Sequence, residues 1–413
     1  MPIPVRPVRI FNPNARQRPP ILPVAILLIV LGGLLTAPVA ATATPLEFLA
    51  AWGSRGTEPG QFNSPSAVAI DPKGDAYVAD TFNHRIQVFD SCHRWLSTLG
   101  GPGVSAGEFN APLAVALDSH RNLYVADANN NRVQVFDASG AYLFSWGEFG
   151  AGNGEFRFPV ALAVDSHDEV YVADLDSDRV QVFDAAGSFL RAWGKFGSGN
   201  GQFNSPLGIA TGPQGRVYVA DAGNNRVQVF DSAGKFIRKW GKFGAGDGQF
   251  KFPRSVSTGP LGEVYVADTE NNRIQAFDST GAFVTKWGSL GSATGQFRFP
   301  VGVSAGPGGE IYVVEGSPNH RVQVFGDPPP TIADLLESVD GLGLPHGIEN
   351  SLEAKLRAAQ NSLDRSQPGT ASNQLGALLA ELAAQSGKKL DADAAAVLAE
   401  EIETTVRALD CLS

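Results

Sequence analysis

Residues 206–240 read PLGIATGPQGRVYVADAGNNRVQVFDSAGKFIRKW. Pro206–Thr211 is a run of small and apolar residues, Gly212–Gly215 a turn, and Val217–Asp221 (VYVAD) a β-branched and aromatic segment. Ala222–Asn225 is a loop, Arg226–Asp231 (RVQVFD) a third apolar segment, Ser232–Gly234 a second turn, and Phe236–Trp240 a fourth segment. Runs of about five β-forming residues, punctuated by Gly, Pro, Asn and Asp, spell four short strands. The inner segments lack a polar face, so the unit is expected to be covered on both sides.

Working outward, the unit recurs. Tyr77, Tyr124, Tyr171, Tyr218, Tyr265 and Tyr312 stand 47 residues apart, and so do Pro65, Pro112, Pro159, Pro206, Pro253 and Pro300. Trp146, Trp193, Trp240 and Trp287 keep the step; Trp52 lies two steps before Trp146, with Leu99 between. Six units of four strands arranged radially make an all-β six-bladed β-propeller, here expected over residues 44–326. The sixth unit stops at Gly326-Asp327-Pro328 without a fourth strand, while the first strand, Phe48–Trp52, aligns with Phe236–Trp240. This orphan is expected to pair beside Arg321–Phe325 and close the ring, which covers edges that an open ring would expose.

The pattern GQF..P, then YVAD, then NNR[VI]QVFD, then a WG dipeptide resembles the NHL-repeat family. Asn83-His84-Arg85 and Asn319-His320-Arg321 match its naming motif; other repeats place Asn131, Asp178, Asn225 or Asn272 in the His slot. That family includes amidating-enzyme lyases, exported sensor domains of bacterial kinases, and RNA- or protein-binding modules. The resemblance therefore implies a fold and no single activity.

Residues 327–331 form a Pro-rich linker, beyond which no Trp, Tyr or Phe occurs. Residues 332–340, 348–363, 373–386 and 392–409 have helical spacing, with Thr370 and Asp391 as N-caps, so residues 332–413 are expected to be a small helical domain. Ile348–Leu363, followed by QSGKKL at Gln385–Leu390, resembles the FIMAH-type domain appended to exported microbial proteins, which brings no established chemistry.

The first 46 residues hold Arg6, Arg9, Arg16 and Arg18 and no acid, so the remaining 28 basic side chains face all 42 acidic ones. So acidic a body excludes a general nucleic-acid binder. The basic start, the apolar stretch Ile21–Ala37 and the small residues Ala41 and Ala43 describe a secretory signal over residues 1–43. The expected protein is secreted, periplasmic or on the cell surface, touching a membrane only through this segment where it stays uncleaved. Cys92 and Cys411 are the only cysteines, one in each domain, and are a candidate disulfide in an exported chain.

Residues present in every repeat read as architecture: Asp80, Asp127, Asp174, Asp221, Asp268 and Glu315 end the second strands and are expected to pair with backbone or with the following Arg. Lyases of the resembled family hold zinc through several histidines. Here His84 and His320 fall on the face of the long loops, the top, and His93, His120 and His167 in bottom turns, so neither face is expected to supply three ligands around the channel. Asp174-x-Asp176-x-Asp178 has calcium-like spacing and is the candidate metal site; Arg179 stands where the usual Gly would follow. No other cofactor is expected.

Asymmetry among the copies is the functional signal. Loops before blades four to six carry Lys195, Lys242, Lys251 and Arg298 against one acid, Asp247, with Phe196, Phe243, Phe252 and Phe299 beside them. Arg254 replaces the small or apolar residue found after Pro elsewhere. The loops of the first three blades carry Glu58, Glu108, Glu148 and Glu155, with Arg55 and Arg157. The candidate ligand-binding set is therefore Lys195, Phe196, Lys242, Phe243, Lys251, Phe252, Arg254 and Arg298. The expected function is an exported, non-catalytic binding or scaffold protein presenting its top face to a protein, peptide or anionic glycan. The alternatives are an enzyme of the propeller lyase or lactonase kind, and a structural part of a surface assembly.

Overall fold

A computed structural model describes residues 46–342, 344–387 and 391–412. The expected secretory signal lies outside the described residues.

Six four-stranded antiparallel sheets follow one another along the chain. Five use consecutive strands. The sixth joins Pro300–Ala305, Ile311–Glu315 and Arg321–Gly326 to the first strand of the chain, Glu47–Trp52. That strand runs antiparallel to Arg321–Gly326, with Phe48 opposite Phe325 and Trp52 opposite Val322. The ring is closed by main-chain pairing between the two ends of the propeller. The sampled blade forms strands Pro206–Gly212, Arg216–Asp221, Arg226–Phe230 and Phe236–Trp240.

The repeat's signature residues each have a packing reason. The Phe of GQF (Phe62, Phe109, Phe156, Phe203, Phe250, Phe297) is wholly buried. It lies against the Gly that follows the fourth strand: at Gly194, φ is +107° and a Cβ would stand 2.7 Å from the Phe203 ring. Only glycine fits there. Each fourth-strand side chain in turn lies over the bottom turn of the next blade, Trp193 on Gly234 and Trp240 on Gly281.

The naming motif is equally physical. The His slot stands in the left-handed region, with φ of 47–55° in all six copies, closing a 3₁₀ turn in blades one to five and a longer turn from Gly316 in blade six. His, Asn and Asp tolerate that conformation better than other non-glycine residues. They also carry an acceptor at the same reach. His84 Nδ1 accepts from the Ala111 amide (3.1 Å), Asp178 Oδ1 from Ser205 (3.0 Å), Asn225 Oδ1 from Phe252 (2.9 Å) and His320 Nδ1 from Ser64 (2.9 Å). Each bond fastens one blade to the loop that enters the next.

Blade one departs from the pattern at the seam. His93, with φ +62°, occupies the place of the turn glycine. Its ring stacks on Trp52 of the closing strand (centroids 4.2 Å, 15° between planes) and meets Tyr312 edge-on. Its Nε2 is buried without a partner among the described residues. Burial pulls the imidazole pKa down to about 4, with the Asp90 charge opposing weakly. A depressed base favours the folded state when neutral. Its contribution is therefore complete above about pH 6.5 and is lost as pH falls toward 4. Acidifying from pH 7 to 5 is expected to cost about 2 kcal/mol more in the wild type than in His93→Asn, read from urea melts at each pH. Parallel pH profiles would refute this.

Four helices follow the linker: α1 (Ile332–Gly341), α2 (His346–Asp364), α3 (Pro368–Gln385) and α4 (Ala392–Asp410). Leu335, Leu352, Leu356, Leu375, Leu378, Leu398 and Ile402 form their common core. Asp391 caps α4 as expected, accepting from the amides of Asp393 and Ala394. Thr370 is not a cap: α3 begins at Pro368, a residue suited to a first helical turn because it has no amide to satisfy. Cys92, in a bottom turn of blade one, and Cys411, just after α4, are disulfide-bonded. Among the described residues no helix is long and apolar enough to cross a membrane.

Candidate functional site

Six equivalent loops cross the top face, each leading from the fourth strand of one blade to the first strand of the next. Within each loop one residue makes a single parallel bridge to the buried Phe seven positions on: Arg55, Pro102, Phe149, Phe196, Phe243 and Leu290. The bridge pins the backbone while the side chain stands clear. Phe149 is 73% exposed, Phe196 72%, Phe243 68% and Leu290 63%. Four successive loops thus raise large apolar side chains into solvent. Contiguous apolar exposure of this kind marks interaction surfaces.

Charge follows the same asymmetry. Lys195, Lys242 and Arg298 are exposed beside these side chains, and Lys251 Nζ lies 5.7 Å above the Phe243 ring. Asp247, the one acid of these loops, is paired with Lys286. Loop closure itself sets part of the difference. In blades four and five the side-chain oxygens of Gln202 and Gln249 accept from Gly199 and Gly246. In the loops before blades two and three the same bond goes to Glu108 and Glu155, from Ser105 and Gly152. The Ser105 amide holds the Glu108 carboxyl below its ordinary pKa, so this loop stays negative. One fold-preserving bond is made with a neutral glutamine before blades one, four, five and six and with a glutamate before blades two and three.

Five of the eight sequence-selected ligand residues therefore share an exposed surface: Lys195, Phe196, Lys242, Phe243 and Arg298. Lys251 and Phe252 are half-buried, and the Phe252 amide is tied to Asn225. Arg254 belongs elsewhere, among the residues lining the central channel. Phe149 and Leu290 have no cation directly before them and so do not stand out by charge, but they lie 47 residues before and 94 after Phe196, at the same place in the repeat.

The calcium reading is corrected. Residues 175–177 form a 3₁₀ turn, so alternate carboxylates do not converge as they would along an extended loop. Asp174 is buried, accepting from the Arg157 and Phe158 amides and from Arg179, while Asp178 accepts from Ser205. Among the described residues the one group of carboxylates close enough to share an ion is Asp340, Glu349 and Glu353, in the helical domain. His84 and His320 each spend Nδ1 on a backbone amide.

The NHL repeat family matches residues 62–89, 203–230, 250–277 and 297–325, and a family described as 6-bladed beta-propeller matches residues 116–193. Four stretches of the ring, in blades one, four, five and six, match NHL repeats. A stretch of 39 residues is 59% identical to the B-box type zinc finger protein ncl-1 of Caenorhabditis elegans, covering 9% of this chain and 5% of that protein. The match thus spans a small fraction of that relative's length. A Bacteroides thetaiotaomicron protein of unknown function has a similar fold: TM-score 0.54, 14% identity, 68% of this chain and 75% of that one. A Xanthomonas campestris gluconolactonase gives TM-score 0.50 at 12% identity, over 65% of this chain and 88% of its own. At such identities the likeness is one of fold.

Proposed function

We propose that this NHL propeller is an exported binding module whose top face docks an acidic polypeptide partner. The observation that carries the reading is the arc Phe149, Phe196, Phe243 and Leu290, interleaved with Lys195, Lys242 and Arg298 on an otherwise acidic protein. Large aromatic anchors are the usual energetic centre of a protein interface; Lys195 and Lys242 directly precede Phe196 and Phe243, whereas Glu148 precedes Phe149. The acidic remainder repels the partner elsewhere and so orients it. Export is supported by the N-terminal sequence pattern and by the Cys92–Cys411 disulfide, since such bonds persist in oxidising compartments. A non-catalytic role is supported by the commitment of His84 Nδ1 and His320 Nδ1, the two top-face histidines, to backbone amides. The C-terminal helices are read as a FIMAH-type companion domain.

The test is selection from a random peptide library on the mature protein, beside an array of anionic glycans. Peptides joining Asp or Glu to bulky apolar residues are expected to be enriched. Phe196→Ser with Phe243→Ser should weaken the selected peptides by about 30-fold or more. Lys242→Glu should weaken them and flatten their salt dependence, while Arg55→Glu changes little. Enrichment insensitive to these variants, or glycan binding alone, would overturn the reading.

A further inference from the structure

The central channel, about 320 Å³, is walled by the first strands of all six blades. At this size it stands at the low end of small-molecule pockets. Its two halves differ. Blades one to three contribute mostly Ala, Val, Leu and Ile, whereas blades four to six contribute Thr211, Ser255, Ser257, Thr258 and Ser304. Several hydroxyls bind neighbouring strands: Thr211 donates to the Val164 carbonyl (2.8 Å) and Thr258 to that of Thr211 (2.6 Å). Ser257 accepts from the Ala305 amide (3.1 Å), which leaves its own proton to donate.

Into this wall the chain inserts one charge. Arg254 follows Pro253 at the top end of the first strand of blade five, where the other blades place Ser66, Leu113, Val160, Leu207 and Val301. No acidic residue lines the channel. Among the described residues no hydrogen bond or ion pair holds the guanidinium. Burial alone acts on its charge and lowers its pKa. The side chain is half-buried, and an arginine partly withdrawn from water without a counter-charge is ordinarily paired.

We infer that the channel is a binding site for a small oxyanion, a carboxylate or a phosphate, with the Arg254 guanidinium as its counter-ion. The planar fork donates two parallel hydrogen bonds to such a group. The free hydroxyl donors of blades five and six face the ligand's polar side, and the aliphatic wall of blades one to three its apolar side. The site is separate from the docking surface above, because Arg254 contributes nothing to the exposed arc.

The experiment uses the whole mature protein, with bromide, inorganic phosphate and succinate as probes and Arg254→Ser, the blade-one residue type, as the variant. Bromide-soaked crystals are expected to show an anomalous peak at the guanidinium that Arg254→Ser removes. Phosphate or succinate should raise the melting temperature of the wild type and leave the variant unmoved; which of them acts distinguishes the two sources. Without anion the variant should melt close to the wild type, because the half-buried guanidinium gives up no ion pair when it is removed. A channel empty of bromide, or equal shifts in both proteins, would overturn the inference. Phe196→Ser with Phe243→Ser should retain anion binding, so the two proposals fail independently.

Discussion

A chain lacking residues 44–53 is expected to lose at least about 5 kcal/mol of stability and to melt at least about 10 °C lower than the intact protein. The deletion removes the fourth strand of the last blade and leaves Arg321–Gly326 as an open edge. It takes away Trp52, which packs on Phe89, His93 and Tyr312, and Phe48, which packs on Phe325. Truncating one such Trp alone costs about 3–5 kcal/mol, and the five lost strand pairs add to it. Collapse is opposed by the second closure. The Cys92–Cys411 bond joins blade one to the end of the helices that follow blade six, across 319 residues. Loop entropy gives such a cross-link an upper bound of about 5 kcal/mol. The deletion variant should thus remain a folded monomer when oxidised, and become aggregated or unfolded when combined with Cys92→Ser and Cys411→Ser. Calorimetry and light scattering of the three proteins decide this. An unchanged melting temperature in the first variant would show that the closing strand does not hold the ring.

The propeller was readable because a 47-residue repeat places every blade in one register, and because the sixth blade visibly lacked a strand. Where reading failed, local geometry had replaced composition. Asp174, Asp176 and Asp178 have calcium-like spacing, but Asp176 lies in a 3₁₀ turn between the other two, and Asp174 and Asp178 are committed to backbone amides. Thr370 is expected as an N-cap from residue type, yet α3 begins two residues earlier at Pro368, because a first helical turn accepts proline. Arg254 was counted with the loop cations; strand pairing begins one residue earlier, at Pro253, which carries it into the channel wall. Exposure at Phe149 and burial at Phe156 cannot be told apart from residue type. Only the bridge between them, which pins one outward and seats the other as a plug, decides.

Replacing Asp221 by Ala is expected to cost about 3–5 kcal/mol, because this wholly buried carboxylate is the hub that fixes a top loop. One oxygen accepts from the Asn204 amide (2.8 Å); the other accepts from Arg226 Nε (2.6 Å) and Gln228 Nε2 (3.1 Å), and Asn224 donates to both. Arg226 and Gln228 continue to the loop carbonyls of Ser198, Gly199 and Gln202. Without the carboxylate, Arg226 keeps its charge in a buried place with no opposite sign beside it. Asp221→Asn retains one acceptor oxygen and should cost less. Asp247→Ala, which breaks an exposed pair with Lys286, should cost under about 1 kcal/mol. Urea melts rank the three. Hydrogen exchange then tests the functional consequence: amides of residues 197–203 should open faster in Asp221→Ala, while those of the loop that carries Phe149 stay protected. A loss under about 1 kcal/mol, or uniform exchange around the ring, would mean that the loops are held by their own turns. With the expected loss, the Phe196 anchor owes its fixed position to a carboxylate that never meets the partner.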